Sequence, residues 1–375
     1  MISNESGANG PAFFCLKILL MRGRVFDGNH NACHESWQNM AWNKGGCMSD
    51  HMTVLVTGGA GYIGSHMVLA LLDAGHQPVI LDDFSTGHET LVPNGVPVFR
   101  GNVADPALVA EICNSYDIDA VAHFAASIVV PESVIDPLKY YLNNTASTTR
   151  FIAACVQAGI KRFVFSSTAA VYGNQDSNPI AEDASTQPEN PYGTSKLMSE
   201  TILRDCARAT GISYVILRYF NVAGADPKGR AGQLSEPATH LIKVAVEAAV
   251  GKRASMQVYG TDYPTPDGTC IRDYIHVSDL IGAHMAALAH LQAGGESMLA
   301  NCGYGHGASV RDVLDVVAAQ AGKKLAISDA PRRAGDAAIL VADSTKLRTA
   351  LGWTPQYDDL QKIVSDALAW ERANS

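Results

Sequence analysis

The chain has 375 residues and a formal net charge of −9, with 47% hydrophobic and 17% charged residues. That length allows a large core with an added lobe, and the composition is that of an ordinary globular protein. An acidic balance without clustered Lys and Arg excludes a nucleic-acid backbone as partner, whereas a nucleotide ligand needs only local cations.

Residues 1 to 51 differ in character from the rest. Pro11 to Met21 is apolar but interrupted by Lys17, and Arg22 and Arg24 follow it rather than precede it. It is a poor signal peptide and too short for a membrane span, so no membrane partner is expected. Met52 immediately precedes the first strand-like run. The expectation is therefore a leader or misassigned start over 1–51, with Met48 or Met52 as the natural first residue and a disordered extension as the alternative. The eight cysteines, at 15, 33, 47, 113, 155, 206, 270 and 302, form no CxxC pair. They read as reduced thiols of a cytoplasmic protein, and no metal site is expected.

Thr53 to Val56 is a β-branched run of the kind a buried parallel strand shows, and Met67, Leu71 and Leu72 then recur at helical spacing. Between them, Gly58, Gly59, Gly61 and Gly64 satisfy both GxGxxG and GxxGxxG, with Tyr62 and Ile63 opening the helix. Each missing side chain has a use: a tight turn, close approach to a pyrophosphate, close helix packing. Val79 to Leu81 is a second strand, and it ends in Asp82, 18 residues past Gly64, and Asp83. A carboxylate there can accept hydrogen bonds from an adenosine ribose, which favours NAD. Phe84 to Gly87 contains no arginine to offset repulsion of a 2′-phosphate.

Strands and helices continue to alternate. Val96 to Arg100 is the third strand, with Asn102 and Val103 beyond its end, and Asp105 and Pro106 open a helix running to Tyr116. Ala120 to Ala126 is the fourth, with His123 expected to be a packed histidine. One long helix is expected from Pro137 to Gly159, with Asn143 and Asn144 inside it, and Phe163 to Thr168 is the fifth strand. This order predicts a doubly wound parallel α/β sheet of the Rossmann type over 52–221. From 222 to 375 the spacing loosens into a smaller, partly discontinuous substrate lobe, with segments returning to the sheet. A helix from Ala238 to Val250, strands at Ala254 to Tyr259 and Ile271 to Val277, and a helix over Val310 to Ala321 are expected there.

The chemistry-bearing pattern is Pro191-Tyr192-Gly-Thr-Ser-Lys196 at the start of a helix ending near Gly211. Tyr192 and Lys196 share one face. A neighbouring ammonium and an oxidised nicotinamide would lower the phenol pKa and let Tyr192 take a hydroxyl proton as hydride leaves the same carbon. Thr168, ending the fifth strand, is placed to bridge the substrate hydroxyl and the phenol.

TGGAGYIGSH, HFAA, SSTAAVYG and PYGTSK together resemble the extended short-chain dehydrogenase/reductase superfamily. LRYFNVAGADP, YGTDYPTPDGTCIRDYIHVSDL and PRRAGD are similar to its UDP-glucose 4-epimerase family. The resemblance covers nearly everything from Thr53 onward. It implies C4 epimerisation of UDP-galactose and UDP-glucose through a 4-keto sugar with retained NAD, in galactose metabolism, by a homodimer. It also implies NAD contacts at Tyr62, Ile63, Asp82, Asp83, Asn102, Val103, Phe124, Ala125, Ala126, Asn144, Lys196 and Phe220. Nucleotide-sugar contacts are implied at Asn221, His240, Leu241, Gln257, Val258, Tyr259, Arg272, Arg333 and Asp336.

Three departures stand out. Asn102 replaces a frequent Asp; Ser127-Ile-Val129 offers no cation where some members carry lysine; and Leu340 replaces a tyrosine placed against the sugar's C2 side. The last implies tolerance of UDP-N-acetylhexosamines. A 4,6-dehydratase of the same fold would need acid/base residues after Thr168, where Ala169 and Ala170 stand. A dinucleotide-sensing regulator without chemistry would commonly lack the tyrosine or the lysine.

Overall fold

The computed structural model describes residues 51–234, 238–333 and 336–375. The leader expected over 1–51, and with it Cys15, Cys33 and Cys47, lies outside the described residues except for His51.

Seven parallel strands form one sheet: β1 (Thr53–Thr57), β2 (Gln77–Asp82), β3 (Val98–Arg100), β4 (Ala120–His123), β5 (Arg162–Thr168), β6 (Ser213–Tyr219) and β7 (Met298–Cys302). Their order is β7-β6-β5-β4-β1-β2-β3. From β1 the sheet winds outward through β2 and β3, and the chain then returns to β4 on the other side of β1. The turning point leaves a crevice beyond the carboxyl ends of β1 and β4. Every residue of β1 is buried because helices cover both faces. Val54 and Val56 pack with Met67, Leu71 and Leu280 on one face, and Leu55 packs with Val109, Phe151 and Leu203 on the other. β7 is drawn from the second half of the chain and pairs with β6.

The strands are shorter than expected: β3 starts at Val98 and β4 ends at His123, after which 124–129 turn across the glycine loop. His123 is a packed histidine, with ring nitrogens 2.7 Å from Thr57 Oγ1 and 3.1 Å from Thr148 Oγ1. The single helix expected from Pro137 to Gly159 is not what forms. A helix at Val130–Ile135 precedes Pro137–Tyr140, and a π-turn over Tyr141–Ala146 interrupts the path before Ser147–Gln157. The wider turn gives Asn144 its buried place. There its Nδ2 donates to Ser127 O at 2.9 Å and Ser195 Oγ at 3.0 Å, and its Oδ1 accepts from Ser127 N at 2.8 Å.

Short pairings build the lobe. Asn221–Ala223 pairs with Tyr274–His276, Met256–Tyr259 with Ile327–Ala330, and Ile271–Arg272 lies between Ala308–Ser309 and Ile339–Leu340. The strand expected over Ile271 to Val277 breaks at Asp273. That buried carboxylate accepts from the N–H groups of Tyr304, Gly305 and Ala342, so it fastens two other segments at the break. The helix expected from Ala238 starts at Leu241, after His240. The helix at Val310–Ala321 forms as expected, with a Ser309/Asp312 capping box.

Candidate active site

A cavity of about 480 Å³ runs along the carboxyl ends of the strands. At one end Gly58, Gly61, Tyr62, Ile63 and Gly64 line it. Gly58 has φ +70°, and a Cβ on it would lie 2.8 Å from Ala125 N; a Cβ on Gly64 would lie 2.0 Å from Gly58 O. Only glycine lets the loop, the helix start and the Phe124–Ala126 turn approach this closely. No side chain caps the first turn of the helix Tyr62–Asp73 at Gly61, so backbone N–H groups there suit a phosphate.

Asp82 ends β2, buried beside this loop. Its Oδ2 accepts from Ala60 N at 2.9 Å and its Oδ1 from Phe84 N at 2.8 Å. A carboxylate has about four acceptor positions, so each oxygen keeps capacity for a ribose hydroxyl. Burial raises its pKa and the two N–H groups oppose that rise. The arginine missing from Phe84–Gly87 comes instead from the sheet: Arg100 is the register partner of Asp82, lies 4.2 Å over the Phe84 ring and is ion-paired with Glu89. Asn102 lines the cavity with Val103, and its Oδ1 accepts from Ala104 N at 2.8 Å.

Phe124, Ala125, Ala126, Thr168, Tyr192 and Phe220 line the middle. Asn190 caps the helix Pro191–Thr210, accepting from Gly193 N, and so fixes Tyr192 in the first turn. Burial pushes the Tyr192 phenol up to about 12, with the Thr168 side chain opposing that shift. Lys196 lies behind the wall, its Nζ donating to Ser166 O at 2.8 Å and standing 4.8 Å over the Phe165 ring. Burial pulls it down to about 8. The expected lowering of the phenol pKa joins Lys196 with an oxidised nicotinamide; in the protein alone, burial is the largest influence on both groups. Asn144 also lies behind the wall; it braces Ser127 and Ser195.

The far end of the cavity is lined by Asn221, His240, Arg272 and Leu340. Arg272 is buried and donates from Nη2 to Asp336 Oδ1 at 2.7 Å. Leu241 faces a small neighbouring pocket, while Gln257, Val258, Tyr259, Arg333 and Asp336 are not on the main lining. Arg333 stacks 3.9 Å over the Tyr259 ring, and the Arg272–Asp336 pair joins this group to the cavity.

Sequence reasoning missed several lining residues. Tyr219 is a second phenol at the wall, raised well above its usual range by burial and by Tyr192. Its position before Phe220 at a strand end was an available signal. Lys139 brings a cation to the lining near Ile128, bonded to Glu132 at 2.6 Å. Only the turn after β4 brings that helix over the cavity, which spacing cannot reveal.

The model of the "NAD dependent epimerase/dehydratase family" matches residues 54–303. A UDP-glucose 4-epimerase of Azospirillum brasilense is 56% identical over 320 residues, covering 85% of this chain and 92% of that protein. The Brucella ovis UDP-glucose 4-epimerase in complex with NAD superposes with a TM-score of 0.83 at 43% identity, covering 85% of this chain and 98% of that one. The UDP-Glc/GlcNAc 4-epimerase of Campylobacter jejuni gives 0.75 at 45% identity, covering 86% and 99%. The chain belongs to the NAD dependent epimerase/dehydratase family, on its UDP-glucose 4-epimerase branch.

Proposed function

We propose that the chain interconverts UDP-galactose and UDP-glucose by inverting C4 through a transient 4-keto sugar, with NAD held throughout. The observation that carries this reading is Tyr192, a buried phenol on the cavity wall beside Thr168, reached from the glycine loop along the same crevice. NAD, when bound, supplies the reversible hydride acceptor. Gly58, Gly61 and Gly64 with the first helical turn hold its phosphates, and Asp82 its adenosine ribose. Tyr192 removes the C4 hydroxyl proton and later returns it, and Thr168 holds that hydroxyl in line. Its phenolate needs positive charge nearby, from Lys196 and the oxidised nicotinamide, because burial alone opposes it. Arg272 and Arg333 hold the UDP diphosphate, since guanidinium groups match phosphate oxygens in bidentate fashion. A sugar fixed mainly through its diphosphate can turn its other face without leaving. Purified protein given UDP-galactose should yield UDP-glucose with no net accumulation of NADH; absence of product would reject the reading.

Residues 52–221 serve as the dinucleotide half and 222–375 mainly as the nucleotide-sugar half. Leu340 on the lining, smaller than tyrosine and unable to donate a hydrogen bond, supports acceptance of UDP-N-acetylhexosamines. The working form is a homodimer. Val134, Ile135, Leu138 and Leu142 are 63%, 84%, 69% and 65% exposed. They lie in one run of adjoining helical segments, and such apolar exposure marks protein interfaces. The cysteines at 113, 155, 206, 270 and 302 are unpaired, in keeping with a reducing, cytoplasmic setting.

A further inference from the structure

Glu200 is a fully buried acid that the mechanism above does not use. On the helix Pro191–Thr210, Tyr192, Lys196 and Glu200 follow one another at intervals of four and share the face packed against β5. Arg218 of β6 grips the carboxylate with both arms, Nε to Oε1 at 2.9 Å and Nη2 to Oε2 at 2.6 Å. Arg218 in turn lies 4.7 Å from the Tyr172 ring centroid, and Tyr172 Oη donates to Asn301 Oδ1 at 2.7 Å. Ser167 Oγ donates to Glu200 Oε1 at 2.5 Å. Ser167 sits between Ser166, whose carbonyl accepts the Lys196 ammonium, and Thr168, whose side chain meets Tyr192. One carboxylate therefore fixes the strand end that serves both members of the pair.

The charge environment of Lys196 points the same way. Its own helix contributes Tyr192 and Glu200. β4 contributes His123, which burial holds neutral, down to about 3. β5 contributes the Phe165 ring and the Ser166 carbonyl, and through Ser166 Oγ at 2.8 Å it meets His284, also neutral at about 4. β6 contributes Arg218, which is engaged with Glu200, and the phenol of Tyr219. Of these groups Glu200 is the one carboxylate, and its charge opposes the effect of burial on Lys196.

We propose that Glu200 is a positioning residue for the Tyr192–Lys196 pair, anchoring their strand end through Ser167 and keeping the buried Lys196 ammonium protonated. For turnover this rests on the epimerase reading; for the ionisation of Lys196 it does not. The test uses the NAD-loaded full chain, with Glu200→Gln removing the charge at constant shape and Glu200→Asp keeping the charge while shortening its reach. The alkaline limb of kcat for UDP-galactose should fall by roughly one pH unit in Glu200→Gln and stay in place in Glu200→Asp, with kcat lowered. Should a lone buried Arg218 prevent Glu200→Gln from folding, Glu200→Gln with Arg218→Met removes both charges and should give a smaller shift of the same sign. Titration of isotope-labelled lysine by NMR, with Lys196→Arg supplying the assignment, should show the same downward movement without needing turnover. An alkaline limb and a Lys196 titration that stay at the wild-type pH in a folded charge-free variant would overturn the proposal. Wild-type protein without turnover would instead count against the epimerase reading, and the NMR arm would still decide the role of Glu200.

Discussion

At the glycine-loop end, Gly58, Asp82 and Asn102 stand within or just beyond the ends of β1, β2 and β3, where the register of one sheet sets their spacing, and Gly64 packs against Gly58 from the first turn of the helix Tyr62–Asp73. At the far end, Asn221, His240, Arg272 and Leu340 come from separate segments joined by pairings of two to four residues. Loop and helix are closely packed at the first end, where a Cβ at Gly64 would collide with backbone. The second end depends on side-chain fasteners: Asp273 across 304–305 and 342, Asp336 on Arg272, and Arg230 bridging Asp226 to Asp73 of the first helix. A scaffold of the first kind retains one ligand, whereas the second can change its substrate with few substitutions.

The sharpest way to break this contrast is Gly64→Ala. Its Cβ would force the glycine loop apart, so co-purified NAD and activity should be lost together, with a stability loss of about 1–3 kcal/mol. Absorbance of the released cofactor and a denaturant midpoint check both. Next in size, Arg272→Met should raise KM for UDP-galactose by roughly 10–100-fold, the value of one or two charge-assisted hydrogen bonds, with NAD retained. A fall in NAD content would show that the two ends are not separable. Leu340→Tyr should lower the ratio of UDP-N-acetylglucosamine to UDP-glucose turnover by about 10–100-fold, a steric difference of the usual size for one pocket residue. An unchanged ratio would remove Leu340 from specificity.

Arg230 gives the smallest effect. It holds the carboxyls of Asp73 and Asp226 below their usual range. Depressed carboxylates contribute stability above their unfolded pKa and lose it as pH falls through the folded value, so Arg230→Met should flatten the acid side of the stability profile. The cost near neutral pH should be about 1 kcal/mol or less, since Asp73 is a third exposed.

The same contrast explains what was legible. Strand, glycine loop, acid at the end of β2 and Tyr192/Lys196 are local patterns whose geometry follows from helix and strand periods, and the structure places the loop, Asp82 and Tyr192 on one crevice with Lys196 behind its wall. The break at Tyr141–Ala146 was hidden because Asn144 is satisfied by Ser127 and Ser195, which are distant in sequence. Arg100 beside Asp82 comes from strand register, which the residues after Asp82 do not encode. The burial that raises the Tyr192 phenol and lowers the Lys196 ammonium is likewise invisible in spacing.

The most direct test of the central claim compares wild type with Tyr192→Phe, without added cofactor, measuring both bound NAD and conversion of UDP-galactose to UDP-glucose. Wild type should turn over on the NAD it carries. The variant should keep the same NAD content and lose about 10²–10⁴-fold in kcat. A variant that turns over within a few-fold of wild type would contradict Tyr192 as the base.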